Sequence, residues 1–109
     1  MSAYAIGWLR HVRMGHDIVR YLEEIDATLA PFGGKFRIHG GAPEVLEGDW
    51  TGDFIAIEFP SREDARDWYA SDAYRAIAAL RTRNSHSVVF LVDGVDETHR
   101  ATDVLSPAD

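Results

Sequence analysis

The chain of 109 residues contains no cysteine. That single absence removes disulfides, thiolate nucleophiles, iron–sulfur ligation and the common structural zinc sites from consideration. Positive charge is also short: 11 lysines and arginines stand against 18 aspartates and glutamates, a formal charge of −7. A nucleic-acid partner needs a basic footprint to displace counterions from phosphates, so none is expected. No apolar run approaches the ~20 residues of a membrane span. Met1 to Ala5 lack the basic stretch and long apolar core of a signal peptide, so the expectation is a cytoplasmic protein with no membrane partner. A phosphate-binding glycine loop is missing as well, because Gly33-Gly34 follows a helix-like stretch and enters an extended one.

What is present is apolar surface in short alternating runs. Hydrophobic residues make up 46% of the chain, enough for one domain with a sizeable core. Tyr4 to Leu9, Lys35 to His39, Phe54 to Phe59 and Val88 to Val92 read as strands with apolar side chains on both faces. In the first, Tyr4, Ile6 and Trp8 point one way and Ala5, Gly7 and Leu9 the other. The small Ala5 and Gly7 leave room for a helix or a cavity. In the second, strict alternation puts Lys35, Arg37 and His39 on one side and Phe36 and Ile38 on the other. Glu44 to Glu47 is expected to extend this strand into a hairpin, with its register disturbed near Gly40 to Pro43.

Two helix-like stretches lie between the strands. Ile18, Leu22, Ile25 and Leu29 recur at spacings of three and four and form one stripe, which Pro31 and Gly33-Gly34 end. Ser61 followed by Asp64 predicts the start of the second stretch, with Ala65, Trp68 and Tyr69 facing the sheet. Ser71-Asp72 predicts a break near Ala70 and a new segment carrying Tyr74, Ile77, Ala78 and Arg81. The order is strand, helix, strand, strand, helix, strand. Two helices cover one face of a sheet, so the second apolar face calls for an identical sheet from another chain. A homodimer is the expectation. Residues 96–109, polar with scattered small side chains, read as a mobile tail beyond a single domain over residues 1–95.

Several ordered blocks resemble one family. They are Ala30-Pro31-Phe32-Gly33-Gly34-Lys35-Phe36, Gly40-Gly41, Val45-Leu46-Glu47-Gly48-Asp49-Trp50, Ile57-Glu58-Phe59-Pro60-Ser61 and Trp68-Tyr69-Ala70-Ser71, with Tyr74 and Leu80-Arg81. Together they are similar to the domain of unknown function family numbered 1330, within the dimeric α/β-barrel superfamily. The resemblance runs from about Tyr4 to Val95. It implies an α+β fold, a ferredoxin-like βαββαβ protomer with an antiparallel four-stranded sheet, which pairs with its mate into a dimeric α/β barrel. It brings no established reaction, and the superfamily spans cofactor-free monooxygenases, isomerases, lyases, haem-dependent enzymes and ligand sensors. His39 stands where members of the family typically carry arginine.

The candidate chemistry is spread over the strands and the second helical region. His39 and Glu58, on neighbouring strands, suggest a general base tuned by a carboxylate, with Arg37 as the competing partner of Glu58. Tyr74 is the candidate orienting donor. Trp8, Arg37, Trp68, Tyr69 and Arg81 are the candidate ligand contacts, the rings to stack on a planar compound and Arg81 to meet a carboxylate. Plain core packing is the competing reading of Trp68 and Tyr69, and helix capping that of Arg81. The five histidines show no paired spacing, so neither a metal nor a cofactor is expected. Two functions follow: a homodimeric small-molecule-binding protein, as an enzyme performing cofactor-free proton transfer or oxygenation of a small carbonyl or phenolic compound, or a non-catalytic dimeric sensor or stress-related accessory module.

Overall fold

Each alternating run becomes a strand of one antiparallel sheet. In the computed structural model, which describes residues 1–105, the strands are β1 (Ala3–Arg10), β2 (Lys35–His39), β3 (Asp53–Phe59) and β4 (His86–Asp93). Their order across the sheet is β2-β3-β1-β4, with β1 paired antiparallel to both β3 and β4. Helix α1 (His16–Leu29) joins β1 to β2, and α2 (Arg62–Ala70) with α3 (Asp72–Thr82) joins β3 to β4. This is the α+β, ferredoxin-like topology.

Local chemistry explains the boundaries. Ser61 accepts a hydrogen bond from the Asp64 N–H at the start of α2, and Ser71 accepts one from the Tyr74 N–H at the start of α3. Ser71 is itself extended, at φ −64 and ψ 148, so a residue that caps the second helix interrupts the first. After α1 the chain tightens into a 3-10 turn over Ala30–Phe32 and ends at Gly33, whose φ of 71 suits a residue without a side chain. Gly34 follows against the core. A Cβ there would lie 2.7 Å from the Phe59 ring and 2.8 Å from Leu29.

All the helices lie on one side of the sheet. Ala5, Ile57 and Phe59 share the buried core with Tyr21, Ile25 and Leu29 of α1, Ala65 and Trp68 of α2, and Tyr74 and Ile77 of α3. The stripe of α1 is rotated slightly from the expected one: Tyr21 and Thr28 are buried and Leu22 is exposed. Tyr69 is also exposed, because neighbouring helical residues point about 100° apart and Trp68 takes the inward position.

Two expectations about the hairpin are corrected. Residues 44–47 form no strand and are exposed, since β3, the strand β2 pairs with, begins only at Asp53 and offers them no partner. The register slips inside β2 itself: Phe36 opposes Ile57, Ile38 opposes Ala56 and His39 opposes Ile55. Arg37 is therefore the extra residue of a bulge. Phe36 and His39 end up on the helical side, where their rings stack 4.3 Å apart, and Ile38 turns to the open side. The grouping of Lys35, Arg37 and His39 on one face does not survive this slip. Beyond β4, Ala101–Leu105 is an exposed 3-10 turn, and residues 106–109 of the expected tail lie outside the described residues.

Candidate functional site

Small side chains on the helical side of β1 leave a gap under the helices. Ala5 and Gly7 face it from β1, Ile55 and Ile57 from β3 and Val89 from β4, and a cavity of about 320 Å³ remains. Ile18, Tyr21 and Ile25 of α1, Trp68 of α2, and Tyr74 and Arg81 of α3 form its roof. Met14, His39, Gly41 and Asp53 are exposed and mark the side on which it opens. The size lies at the lower end of ordinary small-molecule sites, and the walls are almost entirely apolar.

Three buried polar side chains meet in the roof. Tyr74, 2% exposed, shares a 2.7 Å hydrogen bond between hydroxyls with Tyr21, and their rings meet edge to face. Arg81, 4% exposed, donates from Nη1 to the Ser87 hydroxyl at 2.6 Å and from Nη2 to the Tyr74 hydroxyl at 3.4 Å. Burial, with Tyr74 alongside, pushes the Tyr21 phenol well above the ordinary tyrosine range, so it stays protonated. Burial by itself would lower the Arg81 guanidinium, but the neighbouring Tyr74 and Tyr21 oxygens outweigh it and the net direction is up. Arg81 is a permanent cation. Beside this group the Trp68 indole donates to the Thr28 hydroxyl at 3.0 Å, and Thr28 donates to the Ile25 carbonyl at 2.6 Å.

The sheet divides the predicted site residues. His39, Trp68, Tyr74 and Arg81 line the cavity together, with Leu9 near the opening. Glu58 does not. It pairs across the sheet with Tyr4 and Lys35 on the open side and receives the Arg37 Nε at 2.6 Å. The Ser2 hydroxyl and then the Arg37 guanidinium hold its carboxyl below the usual range. The expected His39–Glu58 dyad is thus split between opposite faces by the bulge at Arg37. Trp8 is on the open side too, stacked 5.5 Å from Trp50, with its indole donating to the Thr51 carbonyl at 2.8 Å and Arg10 4.0 Å above its ring. Tyr69 touches Trp68 and Tyr74 from outside, at ring distances of 6.0 Å and 5.4 Å, and is absent from the cavity wall.

Tyr21 is the site residue that sequence reasoning missed. Its signal was present in the spacing Ile18, Tyr21, Ile25, Thr28, which competes with the stripe through Leu22 and puts a phenol inward. Pairing also brings His11 and His86 to a ring distance of 5.1 Å, although they are far apart in sequence. Among the described residues no group of three or more histidines or carboxylates is placed to hold a metal ion. Among them, likewise, no helix is long and apolar enough to cross a membrane.

Comparison with known proteins agrees with this geometry. The model of the family described as Domain of unknown function (DUF1330) matches residues 2–95. No curated protein matches the chain. Among solved structures, the RPA0582 protein of unknown function from Rhodopseudomonas palustris is 15% identical at a TM-score of 0.64, over 87% of this chain and 83% of that one. A dimeric ferredoxin-like protein of unknown function from Jannaschia sp. CCS1 is 11% identical at a TM-score of 0.61, over 86% of this chain and 100% of that one. A mutant of SnoaB, a cofactor-independent oxygenase from Streptomyces nogalater, is 16% identical at a TM-score of 0.51, over 91% of this chain and 98% of that one. At such identities the likeness is one of fold.

Proposed function

Because the chain belongs to the DUF1330 family, whose description carries no reaction, we propose from the geometry that it is a homodimeric small-molecule-binding protein with one pocket between sheet and helices in each protomer. The observation that carries this reading is the cavity itself: a space of about 320 Å³ with mostly apolar walls into which Tyr21, Tyr74 and Arg81 bring a few buried polar groups. A core that served packing alone would have closed over Ala5 and Gly7, since interiors fill to near-crystalline density. Ligand binding takes precedence over proton transfer. Tyr21, Tyr74 and Arg81 bring hydroxyls and a guanidinium to the wall but no base, and His39 at the opening has lost the carboxylate that was to tune it.

The dimer rests on the other side of the sheet. Ile38, Phe54, Val88, Phe90 and Val92 lie there between 38% and 49% exposed, on a face that also carries Ile6 and Ala56. Full burial of such a side chain is worth ~1.5–3 kcal/mol. Even the exposed share of five is a large fraction of a domain's ~5–15 kcal/mol. A second copy of the same face is the economical cover, because a two-fold axis matches each patch to itself. The expected interface is of standard size, ~1,200–2,000 Å² in total. Dimeric relatives of the same fold, such as the Jannaschia protein, support this reading.

Two measurements test the proposal. Sedimentation at micromolar concentration should give a dimer, and a lone protomer would overturn the assembly. A thermal-shift screen of flat apolar compounds should raise the melting temperature, since a ligand at a hundred times its Kd adds ~2.7 kcal/mol to native stability. The same hits should fail with Gly7→Val, which fills the cavity from its sheet side. Hits that persist in that variant would place binding elsewhere.

A further inference from the structure

A guanidinium withdrawn from water needs compensation for its charge, and Arg81 finds only uncharged oxygens, those of Tyr74, Tyr21 and Ser87. Among the described residues none of the ion pairs involves it: the carboxylates within reach of an arginine or histidine serve Arg20, Arg37, Arg62 and His99. Its described partners are two neutral hydroxyls, Ser87 and Tyr74, which take two of the five N–H donors an arginine carries. The end of α3 supplies a further partial negative charge, because Arg81 sits in the last turn of that helix. What is left is a buried cation with free donors on the wall of an apolar cavity, which is the situation a buried anion resolves.

We infer that the pocket takes a monocarboxylate with a flat apolar body, its carboxylate on Arg81 with Tyr21 and Tyr74 completing the acceptor site. This rests on the pocket reading above and adds the ligand's charge and class to it. One cation asks for one negative charge. The planar fork of a guanidinium matches a carboxylate in two parallel hydrogen bonds, which a hydroxyl or amide oxygen does not offer. The phenols fit the same role: Arg81 can only donate to Tyr74, and either hydroxyl can donate across the 2.7 Å contact, so the pair ends in a proton available to an acceptor. Trp68 and Tyr74, whose rings lie 4.3 Å apart, give the apolar body a surface to lie on.

The rest of the charge distribution shapes what should be seen. The chain carries a formal charge of −7, and Asp53 stands at the opening of the pocket, so long-range attraction does not bring an acid in. Affinity then comes from the desolvated contact at Arg81, and such contacts are weakly screened by salt.

Calorimetry on the full chain with 2-naphthoate and its neutral analogue 2-naphthamide tests the inference. The acid is expected to bind about 10- to 100-fold more tightly than the amide, the range of a charge-assisted contact, with little change on raising the salt. Arg81→Met should abolish the preference for the acid over the amide. Should Arg81→Met fail to fold, Tyr74→Phe keeps the ring, removes one hydroxyl and should weaken the acid more than the amide. Equal binding of acid and amide to the unaltered protein would overturn the anion assignment and leave the pocket standing, with Arg81 reduced to a helix cap. Binding of neither compound would overturn the pocket reading and the inference with it.

Discussion

The two faces of this sheet are made of similar residues and meet different fates. On the helical side Ala5, Ile57 and Phe59 are sealed under α1, α2 and α3. On the open side Phe54 of β3 and Val88, Phe90 and Val92 of β4 remain between 38% and 49% exposed. β4 shows the contrast within one segment, since Val88, Phe90 and Val92 are exposed while Val89 and Leu91 between them are half-buried. Residue type does not separate the faces; cover does. The covered face leaves a cavity, the basis of the proposed binding site, whereas the open face exposes apolar surface, the basis of the proposed dimer.

Truncation on the covered face is the severest test of that contrast. Phe59 is fully buried against Trp68, so Phe59→Ala should cost ~3–5 kcal/mol in urea denaturation. A loss below ~1 kcal/mol, the scale of a surface substitution, would mean that the covered face is not the core. Phe90→Glu, on the open face, should act on assembly. A carboxylate at the centre of a closed apolar interface should weaken the dimer at least a hundredfold by sedimentation, about 2.7 kcal/mol. If the open face stays wet in solution, the same change should alter stability by no more than about 0.5 kcal/mol and leave sedimentation unchanged.

The polar groups of the covered face sharpen the comparison further. Thr28 holds the Trp68 indole, and Thr28→Val leaves that buried N–H without an acceptor. The expected cost is ~1–3 kcal/mol, measured by denaturation, and a variant as stable as the parent would show that the indole finds another partner. Ser71→Ala removes the cap that starts α3 just ahead of Tyr74 and should cost ~1 kcal/mol. Arg81 lies on the same helix, so ligand affinity should fall along with stability if the cap also sets the register of the site.

Much of this was legible in the sequence because strand and helix periods are local. The four alternating runs, the cap at Ser61 and the break at Ser71 each announce themselves within a few residues. Trp68, Tyr74 and Arg81 were legible as candidates, with core packing as the competing reading of Trp68 and helix capping that of Arg81. The bulge at Arg37 was not. Nothing in Lys35 to His39 says that two residues of β2 oppose one of β3, because that is fixed by pairing between strands. One slipped residue sufficed to send His39 to the pocket and leave Glu58 with Arg37 on the other face. Tyr21 was missed for a different reason: two stripes compete on α1, and packing against α3 selects the one with the phenol.

The Glu58–Arg37 pair gives the smallest expected effect and the most direct evidence on which face the carboxylate serves. Its side chains are 24% and 55% exposed, so solvent screens the contact. The folded-state value of Glu58 lies below its ordinary one, held there by the Ser2 hydroxyl and by Arg37. A carboxyl whose value is depressed on folding binds protons more readily in the unfolded chain. Its stabilisation is therefore present above the ordinary carboxylate range and is lost as the pH falls through the folded-state value. As the pH falls below the ordinary carboxylate range the parent should lose more stability than Glu58→Gln, whose amide does not titrate. Ligand affinity should be the same for both, because the sheet stands between Glu58 and the pocket. A Glu58→Gln variant that loses binding while keeping the dimer would put the carboxylate back beside His39 and remove the division between the two faces.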